Sequence, residues 1–113
     1  VVLKAWDKAE PLASEVLKLR LEIQPDAWST HNSKSLVGAI LLGQGRLAEA
    51  EGPLRDGYEG LKERAADIPP QAASRLPEAV DRLILLARLR GDAEQEMFWK
   101  AERERYTPAP RAE

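Results

Sequence analysis

The chain has 113 residues, 43% hydrophobic and 32% charged, which suits one domain, supplies a core and excludes a disordered chain. Its formal net charge of −2 comes from 17 basic and 19 acidic residues interleaved without a basic block, so nucleic acid is not an expected partner. With no cysteines, disulfides, thiolate metal sites and cysteine nucleophiles are excluded; a reducing compartment is compatible, and a cytoplasmic location is the expectation.

Ala, Leu, Glu, Arg and Lys dominate, all of them helix formers, and no stretch alternates apolar and polar residues for long. The pattern predicts five helices. The first runs from about Asp7, a predicted N-cap, to Ile23. Pro11 then falls at the edge of its first turn, and Ala9, Leu12, Ala13, Val16 and Leu17 form its apolar face. Gln24-Pro25-Asp26 stops it. The second runs from Ala27 to Gly43 with Asp26 as N-cap. Trp28, Leu36, Val37, Ile40 and Leu41 are its apolar residues, and Gly43-Gln44-Gly45 is its end.

The third helix starts near Leu47, with Ala50, Leu54, Gly57, Tyr58, Leu61 and Ala65 at helical spacing. Gly52-Pro53 inside it predicts a kink or a late start. Ile68-Pro69-Pro70 opens a longer loop. The fourth spans Arg75 to Arg90, capped by Ser74 and ended by Gly91. Leu76, Ala79, Val80, Leu83, Ile84 and Ala87 form the cleanest amphipathic stripe of the chain. The fifth begins at Asp92, where Asp92-x-x-Gln95 reads as a capping box, and Met97, Phe98 and Trp99 provide its apolar bulk. Residues 107–113, with Thr107-Pro108-Ala109-Pro110, are expected to form a flexible tail. The longest apolar run, Leu83 to Ala87, falls far short of the roughly 20 residues that span a bilayer. Val1-Val2-Leu3-Lys4 lacks the basic-then-apolar pattern of a signal peptide.

The chain echoes itself. Gly45-Arg46-Leu47-Ala48-Glu49-Ala50-Glu51 is matched by Lys4-Ala5-Trp6-Asp7-Lys8-Ala9-Glu10 and by Gly91-Asp92-Ala93-Glu94-Gln95-Glu96. The offsets are 41 residues (Ala9 to Ala50, 50 − 9) and 46 residues (Gly45 to Gly91, 91 − 45). A glycine for a tight turn, then a small residue for close approach, are the demands of a helix hairpin stacked on another.

On these residues, with Trp28-Ser29-Thr30 and Leu36-Val37-Gly38-Ala39, the chain resembles a tetratricopeptide repeat over residues 6 to 105. Its period is longer than the usual value of about 34. Gly45 to Glu51, Gly57-Tyr58-Glu59-Gly60-Leu61 and Ile68-Pro69-Pro70 are similar to repeats found C-terminal to bacterial eukaryotic-like serine/threonine protein kinases. The resemblance implies an all-α fold of antiparallel hairpins, stacked as a short right-handed solenoid over residues 1–106. Two departures stand out: Glu96 where the middle unit has Ala50, and Gly52-Pro53. The first helix has no hairpin partner, and Val1, Val2 and Leu3 read as the end of one. The chain is therefore expected to be a fragment of a longer array, or to pair with another copy through that helix.

In such arrays the first helix of each hairpin lines a concave groove. The resemblance thus assigns Asn32, Ser35, Ala39 and Leu42, with Glu78, Asp81, Arg82, Leu85 and Arg88, to partner binding; an ordinary solvated face is the alternative. Glu78 and Asp81 would repel a carboxylate, so acidic peptide tails are expected to be rejected and a mixed-charge or basic segment accepted.

No catalytic, cofactor or metal residues are assigned. The lone His31 is expected to be a half-exposed helix residue. No His-x-x-x-His pair, phosphate loop or Glu-x-x-His pair occurs. The carboxylates Glu49, Glu51, Glu59, Glu63, Glu94 and Glu96 read as solvated faces, and Trp6, Trp28 and Trp99 as packing between hairpins. The expected function is a non-enzymatic scaffold for a peptide or protein. The alternatives are a regulatory segment of a larger protein such as a bacterial kinase, then a small helical-bundle enzyme.

Overall fold

A computed structural model describes the backbone of residues 2–106 and the side chains of residues 6–106. Val2 and Leu3, expected as the end of a lost helix, are instead the first residues of the first helix, which runs on without a break to Ile23; Val1 and the expected tail 107–113 lie outside the described residues. The fold is all-α, with five helices: α1 (Val2–Ile23), α2 (Trp28–Gly43), α3 (Leu47–Glu63), α4 (Arg75–Arg90) and α5 (Ala93–Arg103). Each packs against its neighbour in the chain, most extensively α2 on α3, and α2 also touches α4. Among the described residues no helix is long and apolar enough to cross a membrane.

α1 begins earlier than the Asp7 cap predicted, so Asp7 and Pro11 lie inside the helix. The Trp6 indole lies on Gly43 of α2, so close that a Cβ there would fall 2.2 Å from a ring carbon. That packing favours the extra turns, and the Asp7 carboxylate accepts a bond from Gln44 Nε2 (3.0 Å) instead of capping. The turn into α2 is not closed by Asp26 either. The buried Thr30 hydroxyl donates to the Gln24 carbonyl at 2.6 Å, and Asp26 pairs with Arg64.

α2 and α4 end alike. Gly45 and Gly91 both adopt left-handed backbone (φ 77° and 70°), open to glycine at little cost. In each turn the glycine amide bonds three residues back (Gly45 to Leu42, Gly91 to Arg88). The following amide bonds five back (Arg46 to Leu41, Asp92 to Ala87). The echo between these segments is thus a shared turn geometry.

α3 runs unbroken through Gly52-Pro53. An interior proline costs about 3 kcal/mol. Here Leu54, Tyr58 and Leu61, each 0% exposed, anchor the helix beyond it, so core packing overrides the expected break. The loop to α4 folds into two 3-10 turns, Ala65–Asp67 and Pro70–Ala72. Ser74 makes no capping bond to α4. Asp92 does cap α5, accepting from the Gln95 amide at 3.0 Å. Gln95 completes no reciprocal box, because its side-chain oxygen accepts from Arg55.

The core lies between α2, α3, α4 and α5, where Leu41, Leu54, Tyr58, Val80, Leu83 and Trp99 meet. Met97 and Phe98 do not join it: both are exposed, and Trp99 alone carries α5 into the interior. Glu96, standing where the middle unit has alanine, turns outward to Arg88 and Lys100. That outward pairing explains how a carboxylate is tolerated there.

Candidate partner-binding groove

α2 and α4 are joined where Arg82 Nη1 donates to Ser35 Oγ at 2.9 Å. Ser35 is fully buried, and burial lowers the affinity of the Arg82 guanidinium for its proton from the ordinary arginine value. Among the described residues Arg82 forms no ion pair; its anchor is the neutral hydroxyl. Leu42 is also buried, part of the core, so Ser35 and Leu42 offer no surface to a guest. Their burial follows from the close approach of α2 to α3: Gly38 meets Leu54, and Gly57 meets the backbone at Ser35. Asn32 and Ala39 are half-buried.

The α4 residues are more open. Glu78, Asp81, Arg82 and Leu85 line a shallow depression of about 350 Å³, and Leu85 is 42% exposed. Glu78 pairs with Arg75 (3.0 Å), Asp81 with Arg103 (2.8 Å) and Arg88 with Glu96 (3.0 Å). The two carboxylates expected to repel an acidic guest are therefore each matched by a guanidinium. What results is a mosaic of alternating charge around one exposed leucine.

His31 is buried, contrary to the half-exposed position expected, and neither ring nitrogen has a partner among the described residues. Its ring lies over Gly60, where a Cβ would fall 2.1 Å from Cγ. Burial, then Lys34 and Arg64, lowers its pKa. A neutral packing residue results. Among the described residues no group of three His, Asp or Glu side chains converges as a metal site would require.

A second polar cluster joins α3 to the end of α5. The buried Tyr58 hydroxyl donates to Glu102 and lies 2.8 Å from the Tyr106 hydroxyl; Lys62 Nζ reaches Glu102 at 3.2 Å. The Tyr58 bond, more than Lys62, holds the Glu102 pKa below the usual carboxylate range, while burial and then Glu102 drive the Tyr58 phenol upward. Trp99 meets Tyr58 edge-on at 5.8 Å, which locks the cluster against the core. The side chains are all engaged with one another, which marks the cluster as structural.

One surface lies outside the assigned groove. Between α1 and α2 an apolar trough of about 370 Å³ is lined mainly by Trp6, Leu12, Ala13, Val16, Leu36 and Ile40. Its sequence signal is an apolar stripe on α1 wider than one neighbour can cover: Leu12, Val16, Leu19 and Ile23 are all exposed beside the half-buried Ala13 and Leu17. Comparison with protein-family models, with curated proteins and with solved structures finds no match to this chain.

Proposed function

We propose that this chain is a non-catalytic scaffold: a short tetratricopeptide-like right-handed solenoid that receives a mixed-charge peptide or protein segment along α2 and α4. The contact that carries the reading is Arg82 to Ser35. It brings together the first helices of two hairpins, α2–α3 and α4–α5, while each second helix packs behind its own first. A closed bundle would instead bring its last helix back onto its first. The shared turn at Gly45 and Gly91 and the elongated outline, 47 × 35 × 23 Å, also support it.

The guest would rest on Asn32, Ala39, Glu78, Asp81, Leu85 and Arg88. Leu85 supplies the apolar contact, and the paired charges around it supply register and orientation. Ser35 and Arg82 form the floor. A cytoplasmic location and a place beside a kinase domain in a longer bacterial protein belong to the same reading.

Selection of a random peptide library on the chain tests it. Enriched peptides should carry both signs of charge around an apolar residue, and lose about tenfold in affinity, near 1.4 kcal/mol, when Leu85→Asp is introduced. Selection that enriches nothing, or only peptides indifferent to Leu85→Asp, would refute it.

A further inference from the structure

We infer that the apolar trough on α1 and α2 is a seat for one amphipathic α-helix contributed from outside the described residues, running antiparallel to α1. The helix would present small residues opposite Val16 and Leu19 and a carboxylate in its first turn opposite Arg20. The inference rests on the hairpin-stack reading, though not on the α2–α4 groove.

The chain holds a filled copy of this seat. α2 lies on α3 with Gly38 against Leu54, Ser35 against Gly57 and His31 against Gly60, and it touches α4 at Arg82. Shifted by the 41-residue offset, Leu54, Gly57 and Gly60 fall on Ala13, Val16 and Leu19 of α1. Shifted by the 46-residue offset, Arg82 and Leu86 fall on Leu36 and Ile40 of α2. Ala13, Val16, Leu36 and Ile40 line the trough, and Leu19 continues it toward Ile23. The open surface is therefore the repeat-equivalent of the one that α2 covers, and the occupant it fits is an α2-like helix.

The differences between the two seats define the guest's chemistry. α3 offers glycines where α2 crosses it, so α2 can carry a histidine there. α1 offers Val16 and Leu19, so the guest must itself be small at those crossings. The position of Leu61 is taken by Arg20, whose Nε is buried without a partner among the described residues. Because α2 begins beside the end of α3, the guest would begin beside Arg20. A carboxylate in its first turn would then meet both the guanidinium and the positive end of its own helix.

A second copy does not meet these requirements. The large apolar residues exposed elsewhere are Leu85, Leu89, Met97 and Phe98, and those of α1 itself are bulky too; the exposed helical alanines Ala48, Ala93 and Ala101 do not stand three or four residues apart as the crossings require. α2, which has the right small residues, is already held in the interior.

The probe is a fluorescein-labelled peptide of residues 26–44 carrying His31→Ala, which keeps Asp26 near its start and a small residue at each crossing. Its anisotropy should rise on titration with the intact chain. Val16→Glu or Leu36→Glu, both at exposed positions, should weaken binding about tenfold or more without changing the circular dichroism. The same peptide with Gly38→Leu should not bind. Three results would overturn the inference: no binding by the first peptide, binding indifferent to Val16→Glu, or sedimentation showing a dimer that Val16→Glu dissolves. The last would give the seat to a second copy. Neither variant alters the α4 residues of the other groove, so failure here leaves the peptide selection to stand or fall separately.

Discussion

Gly57 of α3 stands against the backbone of α2 at Ser35: a Cβ at position 57 would lie 2.7 Å from the Ser35 amide nitrogen and 2.9 Å from the His31 carbonyl oxygen. Backbone atoms of a packed helix cannot turn aside as a side-chain tip can. Gly57→Ala should therefore push the α2–α3 pair apart and destabilise the chain by about 1–3 kcal/mol, against a helix-propensity gain of about 1 kcal/mol. Gly52, five residues earlier on the same helix, meets no atom of a neighbouring helix within 4 Å. Gly52→Ala meets only its chain neighbour Pro53, whose ring crowds a preceding Cβ in helical backbone and offsets the propensity gain, so the net change should stay below about 1 kcal/mol. Urea denaturation of both variants checks that Gly57→Ala is the more destabilising; equal effects would mean the close approach is absent.

His31 sets a pH dependence. Its pKa is depressed in the folded chain, chiefly by burial, while the unfolded chain has the ordinary value near 6.5. Protons therefore bind the unfolded chain first, and the balance shifts toward unfolding as pH falls below that value. The effect grows with further acidification, with a slope of at most about 1.4 kcal/mol per pH unit, until the folded histidine also protonates. Above pH 7 it vanishes. His31→Phe keeps a flat ring over Gly60 and cannot titrate. Its denaturation midpoint should hold steadier than the parent's between pH 7 and 5, and identical pH profiles would disprove the role.

The five helices were legible because glycines, prolines and apolar spacing act locally. Gly91 ended α4 as expected, and Asp92 capped α5. What sequence could not supply was tertiary compensation. Gly52-Pro53 reads as a break only until Leu54, Tyr58 and Leu61 are seen to be fully buried beyond it. Asp7 reads as a cap only until Trp6 is found on Gly43. Of the residues assigned to the groove, Leu85 and Asp81 are exposed, whereas Ser35 and Leu42 are spent on the interior. Periodicity marks which residues share a helix face; it does not say how deeply a neighbouring helix sinks into that face. The glycines at 38, 57 and 60 carried that information, but only in combination with each other across two helices.

Tyr58 and Glu102 should behave as a single unit. Tyr58→Phe removes the donor to a carboxylate whose side chain is only 12% exposed, and also the contact to the Tyr106 hydroxyl. Loss of a hydrogen bond to a charged group costs about 1.5–3 kcal/mol, and Lys62 and Arg105 retain part of the carboxylate's stabilisation, so a cost toward the lower end is expected at neutral pH. The folded Glu102 has a depressed pKa, so its contribution is present above the ordinary carboxylate value and is lost as pH falls through the folded one. The gap between parent and Tyr58→Phe should therefore narrow in acid. A gap that stays constant from pH 7 to 3 would mean the hydroxyl packs without bonding the ionised carboxylate.

Arg82 and Ser35 allow the α2–α4 junction to be dissected by a double-mutant cycle. Ser35→Ala leaves a largely desolvated guanidinium without its hydroxyl acceptor, a loss of about 1–3 kcal/mol. Arg82→Met replaces the charge with an apolar chain of similar reach. Glu78 and Asp81 keep Arg75 and Arg103 as partners, so no carboxylate is stranded. Replacement of a buried ion by an apolar side chain is commonly neutral or stabilising, and Arg82→Met should cost less than Ser35→Ala. In the double variant the serine-to-alanine step should then cost little, because its penalty arises from the stranded cation. If the two substitutions instead add independently, the bond between α2 and α4 contributes nothing, and the side-by-side placement of the two hairpins must rest on the apolar core that α2, α3 and α4 share.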